Sequence, residues 1–352
     1  MVSRKIISWY KINKRDLPWR KTKNPYFIWL SEVILQQTRV QQGLPYYSRF
    51  ISRFPTIKDL AEAEEETVLR IWQGLGYYSR ARNLHKTAKF IHENLSGQFP
   101  ETYEKLISLP GIGPYTAAAI SSIAFNEARA VVDGNVYRVL SRIYEIGEPI
   151  DTGKGIKLFS KLANELISDS NPSDFNQGIM ELGATVCLPK TPECSACPVN
   201  TECFSRQSGK MLNYPVKKGK TKIRTRHFHY IVLRFHDTIY FQKRAAQDIW
   251  NGLYEFFLIE SETQIDLPDL LRSNLSEDIS KAIKNFSKKS SEKHILSHQR
   301  IEATFWLAEL DHLPHSVQNH FYSAEQIFQL PKSRLVDRFL LNFRDNNLTL
   351  TI

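Results

Sequence analysis

The stretch Leu109-Pro110-Gly111-Ile112-Gly113-Pro114-Tyr115-Thr116-Ala117 decides how the first half of the chain is read. It joins two segments of helical period, and two glycines one residue apart let backbone N–H groups converge on a phosphate with no Cβ in the way. Such a turn can grip a nucleic-acid backbone without reading bases. Taken alone, it is equally a glycine-rich turn inside a helical hairpin. Around it, from Lys5 to about Cys203, the dominant period is helical, punctuated at Pro55, Gly74-Leu75-Gly76 and Pro100. Asn24 is a good N-cap and Pro25 suits the first helical position, so a helix is expected from there to about Gly43. The acidic cluster Glu62 to Glu66 reads as a solvated face before the amphipathic run Val68, Leu69, Ile71, Trp72.

The texture changes at His227. Phe228, Tyr230, Val232, Ile239 and Phe241 alternate with other residues, and Tyr254 to Ile259 and Ile301 to Leu307 are aromatic or β-branched, so strands are expected, with one helix from Asp278 to Phe286. The fold class that follows is an all-α domain over 1–208, a basic linker over 209–226 and a smaller α+β domain over 227–352.

The 352 residues carry 47 Lys and Arg against 37 Asp and Glu, a formal charge of +10 that favours an anionic partner such as nucleic acid or a membrane surface. Eight of these cations and no acid fall between Ser205 and Arg226, which as a bare stretch reads as a solvated linker. No apolar run approaches the length of a membrane helix, and the N-terminus breaks before a signal-peptide core can form, so a soluble cytoplasmic protein is expected.

All four cysteines lie together as Cys187-x6-Cys194-x2-Cys197-x5-Cys203, the opposite of a disulfide framework and close enough to wrap one metal centre. Structural zinc competes, but its usual signature pairs two short C-x2-4-C hairpins and only one short pair is present, so iron-sulfur is favoured. Asp133 precedes a helix with the apolar face Val136, Val139, Leu140, Ile143, the position of an N-cap. Glu32 has Ile28, Trp29 and Leu35 as its helical neighbours; a carboxyl on so apolar a face has its charged form disfavoured, as a general acid requires, unless it merely edges the stripe.

The hairpin, the Val-Asp-Gly-Asn-Val segment at 132–136, the cysteine spacing and Trp29-Leu30-Ser31-Glu32-Val33-Ile34-Leu35-Gln36-Gln37-Thr38 together resemble the MutY-type adenine DNA glycosylases of the helix-hairpin-helix superfamily. The resemblance implies two helical modules around a cleft, a 4Fe-4S cluster on Cys187, Cys194, Cys197 and Cys203, and double-stranded DNA containing A:8-oxoguanine or A:G mispairs as the partner of a monomer. It further implies Glu32 as the catalytic acid and Asp133 as the carboxylate that stabilises the sugar cation, with Tyr115 and Asn135 assisting. Trp19, Arg20 and Gln177 match residues near the flipped adenine, and Gln37 and Tyr77 match residues that enter the stack. Gly111 and Gly113 belong to the backbone-gripping turn. Endonuclease III-like relatives carry a Schiff-base lysine where this chain has Tyr115, so a monofunctional glycosylase is implied. The second domain resembles the MutT-like (Nudix) domain that reads 8-oxoguanine, through Asp248 to Phe256 and Leu296-Ser297-His298. It lacks the Arg-Glu and Glu-Glu pairs of the hydrolase motif, and Leu296 stands where the family often has Phe. Bacterial membership would make it nucleoid-associated. A glycosylase for another damaged base and a non-catalytic iron-sulfur lesion-binding protein are the alternatives.

Overall fold

The computed structural model describes residues 2–167, 171–219, 223–245, 247–263 and 275–347. Helices follow one another through the first two thirds: α1 Val2–Asn13, α2 Pro25–Leu35, α3 Val40–Arg53, α4 Ile57–Glu62, α5 Glu65–Trp72, α6 Ser79–Asn94, α7 Tyr103–Ile107, α8 Pro114–Ala124, α9 Gly134–Ile143, α10 Gly153–Leu166, α11 Pro172–Thr185 and α12 Phe204–Gln207. The chain packs as two units, residues 1–62 with 83–220, and residues 63–82 with 221–352.

In the first unit, α2 starts as the sequence indicates, with the Asn24 side chain accepting from the Tyr26 N–H at 2.9 Å and Pro25 at the first helical position. It does not run on to Gly43. It stops at Leu35, and Gln37 takes a positive φ of 54° before α3 begins at Val40. Gly43 is instead an interior residue of α3 at a close helix crossing, where a Cβ would lie 2.7 Å from Leu35 Cδ2. A glycine that permits packing looks the same in sequence as one that ends a helix. The core gathers Ile28, Val136, Val139, Leu140, Phe159, Phe175, Ile179 and Leu182. The hairpin between α7 and α8 is braced by Thr87, whose hydroxyl donates to the Pro110 carbonyl. Gly111 has φ 78°, and a Cβ there would meet Asn83 Cβ at 3.0 Å, whereas Gly113 faces open space at the start of α8. Much of the expected linker packs with this unit instead, since Asp151 accepts the N–H groups of Lys218 and Gly219 at 2.8 and 3.0 Å.

The second unit is built on a mixed sheet. Its strands are β1 Arg224–Phe235, β2 Thr238–Tyr240, β3 Gln242–Lys243, β4 Tyr254–Glu255, β5 Phe257–Ser261, β6 Ile283–Ile295, β7 Gln299–Leu310 and β8 Phe321–Ser323. The order is β6-β7-β1-β2-β8, with β5 also on β1 and with β3 and β4 forming a separate pair; β1 and β7 run parallel, the other pairs antiparallel. One face buries Ile231, Leu233, Ile259 and Trp306, and the other stacks Tyr230, Phe305 and Phe339 of the helix Arg334–Asn347, the last two rings 4.1 Å apart. The helix expected over Asp278 to Phe286 covers only Glu277–Ala282. From Ile283 the chain is strand, because Ile283 and Phe286 pair with Leu310 and Ala308 of a strand distant in sequence.

Residues 63–82 pack here too, which corrects the reading of Glu62 to Glu66 as only a solvated face: Glu66 accepts from the Tyr254 hydroxyl at 2.8 Å and from Lys243 at 3.3 Å. Gln73 accepts the Lys332 N–H at 3.2 Å, and the Tyr78 hydroxyl donates to the Lys332 carbonyl at 3.4 Å. Among the described residues no helix is long and apolar enough to cross a membrane.

Candidate active site and cysteine loop

One pocket of about 150 Å³ in the first unit brings together seven of the residues singled out from sequence: Trp19, Arg20, Glu32, Tyr115, Asp133, Asn135 and Gln177. Glu32 lies on α2, buried against the core face of that helix. Tyr115, at the start of α8, donates its hydroxyl proton to Glu32 Oε2 at 2.6 Å. Burial drives the Glu32 carboxyl up from its ordinary range to about 7; the Tyr115 hydrogen bond and Arg20 pull it down, and Asp133 pushes it further up. The charged form of a desolvated carboxylate is disfavoured, so Glu32 holds a proton near neutrality and can give it away.

Asp133 is both the N-cap of α9 and a wall of the pocket. Its Oδ1 accepts the N–H groups of Asn135 and Val136 at 2.9 and 2.8 Å, and Oδ2 accepts the Asn135 amide at 2.8 Å. Burial pushes its carboxyl above the ordinary range; the three donors and the nearby Arg138 oppose that. Hydrogen bonds to a carboxylate favour the anion, so the cap geometry serves the charge as well as the helix. Asn135 is itself fixed by Arg138, which donates to its amide oxygen at 2.9 Å and to the Gly183 carbonyl at 2.7 Å.

Trp19 is buried edge-on against Tyr47, ring centres 5.1 Å apart. Gln177 is oriented at both ends of its amide, accepting from the Tyr10 hydroxyl at 3.1 Å and donating to Ser173 at 3.0 Å. Gln37 lines an adjoining open groove with Tyr115, Asp133 and Asn135, held at its tip by the positive φ already noted. Tyr77 falls in the second unit. It shares a cavity there with Trp250, Ser297 and His298, the last two at the tip of the β6–β7 hairpin with Ser297 Oγ 3.1 Å from His298 Nδ1. The sequence reading missed Arg15, which also lines the pocket, and Glu181, which holds it. Their link spans 166 positions, and no local pattern announces it.

The four cysteines line one cavity with Val139, Leu182 and Val199. Burial pushes the thiols of Cys187 and Cys197 up, the latter to about 11. Arg142 is 2% exposed and donates to Cys187 Sγ at 3.4 Å and to the carbonyls of Leu188, Pro189 and Tyr214. A buried guanidinium among carbonyls and a sulfur suits a thiolate, the form a metal centre imposes, better than a neutral thiol. Among the described residues no three His, Cys, Asp or Glu side chains close on a point as a single ion requires. Four cysteines on one cavity, with Arg142 beside Cys187, are a donor set that fits an iron-sulfur cluster.

Residues 30–165 match the HhH-GPD superfamily of base excision DNA repair proteins, and residues 229–342 match a NUDIX domain. The structure resembles that of a thermostable thymine-DNA glycosylase, with 28% identity and a TM-score of 0.54 over 58% of this chain and 95% of that one. Endonuclease III in a non-covalent DNA complex shares the fold, with 21% identity and a TM-score of 0.51 over 59% and 94%. Fold and pocket thus define a helix-hairpin-helix base excision repair glycosylase, a hydrolase of N-glycosyl bonds. An adenine DNA glycosylase of Buchnera aphidicola (from Schizaphis graminum) is 39% identical over 274 residues, covering 77% of this chain and 78% of that protein. The adenine DNA glycosylase of Homo sapiens is 49% identical over 212 residues, covering 57% of this chain and 39% of its own length. The chain belongs to the adenine DNA glycosylase family.

Proposed function

We propose that this protein, acting as a monomer, removes adenine mispaired with 8-oxoguanine or guanine from duplex DNA by hydrolysing its N-glycosidic bond. The observation that carries the reading is the 2.6 Å contact of Tyr115 with a buried Glu32 that keeps its proton near pH 7, in one pocket with Asp133. Adenine is a poor leaving group as an anion. Glu32 protonates the flipped base at N7 while the Asp133 carboxylate faces the positive charge that develops at C1′, the division of labour of a glycosidase. Tyr115 and Asn135 hold the two carboxyls in place. Trp19, Arg20 and Gln177 contact the flipped base, Gln37 and Tyr77 enter the stack, and Gly111 and Gly113 present the hairpin N–H groups to the DNA backbone. Ser297 and His298 read the opposite base. With Tyr115 where a Schiff-base lysine would stand, the reaction ends at the abasic site.

Cys187, Cys194, Cys197 and Cys203 would hold a 4Fe-4S cluster, which when bound supplies a fixed anchor for the loop around it and charge for Arg142 to balance. The test is single-turnover excision on A:8-oxoguanine, A:G and T:G duplexes. Release of adenine from the first two and not of thymine from the third is expected; binding without release, or release of thymine, would overturn the reading.

A further inference from the structure

Glu181 sits on α11, its side chain wholly buried, one residue beyond the pocket-lining Met180. Its Oε1 accepts the Arg15 backbone N–H at 3.0 Å and Arg15 Nε at 2.8 Å. Its Oε2 accepts Arg15 Nη2 at 2.6 Å and Arg20 Nη2 at 2.7 Å. Arg20 is further tied to the Arg15 carbonyl at 3.1 Å and lies over the Tyr10 ring at 5.4 Å, and Tyr10 in turn holds Gln177. Both arginines line the pocket that contains Glu32.

We infer that Glu181 is a positioning residue for the proton-donating step: its carboxylate clamps Arg15 and Arg20 into the pocket wall and cancels the charge they would otherwise direct at Glu32. The inference rests on the reading of Glu32 as the acid. Two guanidiniums and one carboxylate leave a single net positive charge beside the pocket; without the carboxylate there are two. The charged and titratable groups that face Glu32 are Tyr115 from α8, Asp133 from the cap of α9, and Arg20 from the N-terminal segment. The Tyr115 hydrogen bond and the Arg20 cation both favour the Glu32 anion; Arg20 is the cation among these groups, and Glu181 is the anion set against it. The carboxylate is well suited to that task. Burial opposes its charge, but the hydrogen bonds from Arg15 and Arg20 outweigh burial and hold it down to about 2, so it stays ionised throughout the working range.

The test is the pH profile of single-turnover adenine release for wild type, Glu181→Gln, Glu181→Asp and Arg15→Met. An amide at 181 keeps the size and removes the charge, so the alkaline falling limb should move to lower pH by at least about half a unit, with a loss of at least about two- to threefold near pH 7.5. Glu181→Asp restores the charge and should return the limb toward wild type. A Glu181→Gln protein that is folded by circular dichroism and slower at every pH, its limb unmoved, would show a merely structural clamp and overturn the inference. If that variant does not fold, Arg15→Met decides: loss of one cation should move the limb to higher pH, and an unmoved limb overturns the inference. Wild-type protein that releases no adenine overturns the glycosylase reading and this one with it. Wild-type release with none of these limb shifts overturns this one alone.

Discussion

Gly183 on α11 and Asn135 on α9 are in contact only because position 183 has no side chain: a Cβ there would lie 2.6 Å from Asn135 Cβ and 3.1 Å from its Cα and carbonyl oxygen. The crossing seats the first turn of α9, and with it Asp133, against the pocket. Gly183→Ala should therefore displace the Asp133 cap, costing about 1 to 3 kcal/mol of stability and slowing excision at least about tenfold. Gly147→Ala, where a Cβ meets nothing within 4 Å, serves as the control and should leave both near wild type.

Removal of the acid separates chemistry from fold. Glu32→Gln should bind the mispaired duplex and release no adenine, because an amide of the same size has no proton to give. It should also change the pH dependence of stability. Glu32 is raised in the folded protein, so the fold retains a proton that the unfolded chain sheds, and stability falls as pH rises from the ordinary carboxylate range through about 7. The penalty, up to about 3 kcal/mol, is fully present above that and absent in the amide variant. Thermal melts of both proteins at about pH 5 and about pH 8 measure it, and equal shifts at the two values would contradict a proton held by Glu32.

Asp133→Asn should behave differently from most losses of a buried carboxylate. Asparagine caps a helix nearly as well as aspartate, so the melting temperature should change little while excision is lost with the charge that faces the sugar. A large fall in stability with retained single-turnover rate would reverse the assignment.

Tyr115→Phe carries two effects of opposite sign. The hydroxyl holds Glu32 in place but also lowers its affinity for the proton, so the variant should be slower, with its alkaline limb moved to higher pH. The pH profile distinguishes this from misfolding, which moves no limb.

Ser297→Ala is the probe of the second unit. Adenine release opposite guanine should be little altered, while the preference for 8-oxoguanine shrinks by an amount on the order of 1 to 3 kcal/mol, read at one fixed salt concentration. Equal loss on both pairs would remove Ser297 from lesion reading. Truncation after residue 210 is the poorer experiment, since residues 63–82 pack with the sheet-containing unit and would lose their partners Tyr254 and Lys332.

Sequence pattern made the pocket legible where one short segment carries both the fold and the chemistry. Asp133 announces a helix start and a carboxylate in the same residue, Tyr115 follows the hairpin glycines, and Glu32 stands out because its helical neighbours are apolar. What pattern hides is pairing at a distance. Glu181 reads as one more acid on a helix until Arg15 and Arg20 arrive from the other end of the chain. Gly43 reads as a stop until Leu35 is seen against it. Ile283 to Phe286 continue a helix by local pattern and become strand only because β7 lies beside them.

One helix joins the two ends of this chemistry. Asp133 caps α9 at its first turn, and Arg142, in its last, grips Cys187 and the carbonyls of the cysteine loop. Ten residues of α-helix make a rod of about 15 Å, too short and too well buried to bend independently at its ends. Iron and acid-labile sulfide should accordingly be found at about four each per chain, with absorbance near 400 nm, roughly as for other such clusters. If the four cysteines hold such a cluster, its removal should free the Arg142 end of α9, and single-turnover excision should fall before binding to the mispaired duplex does.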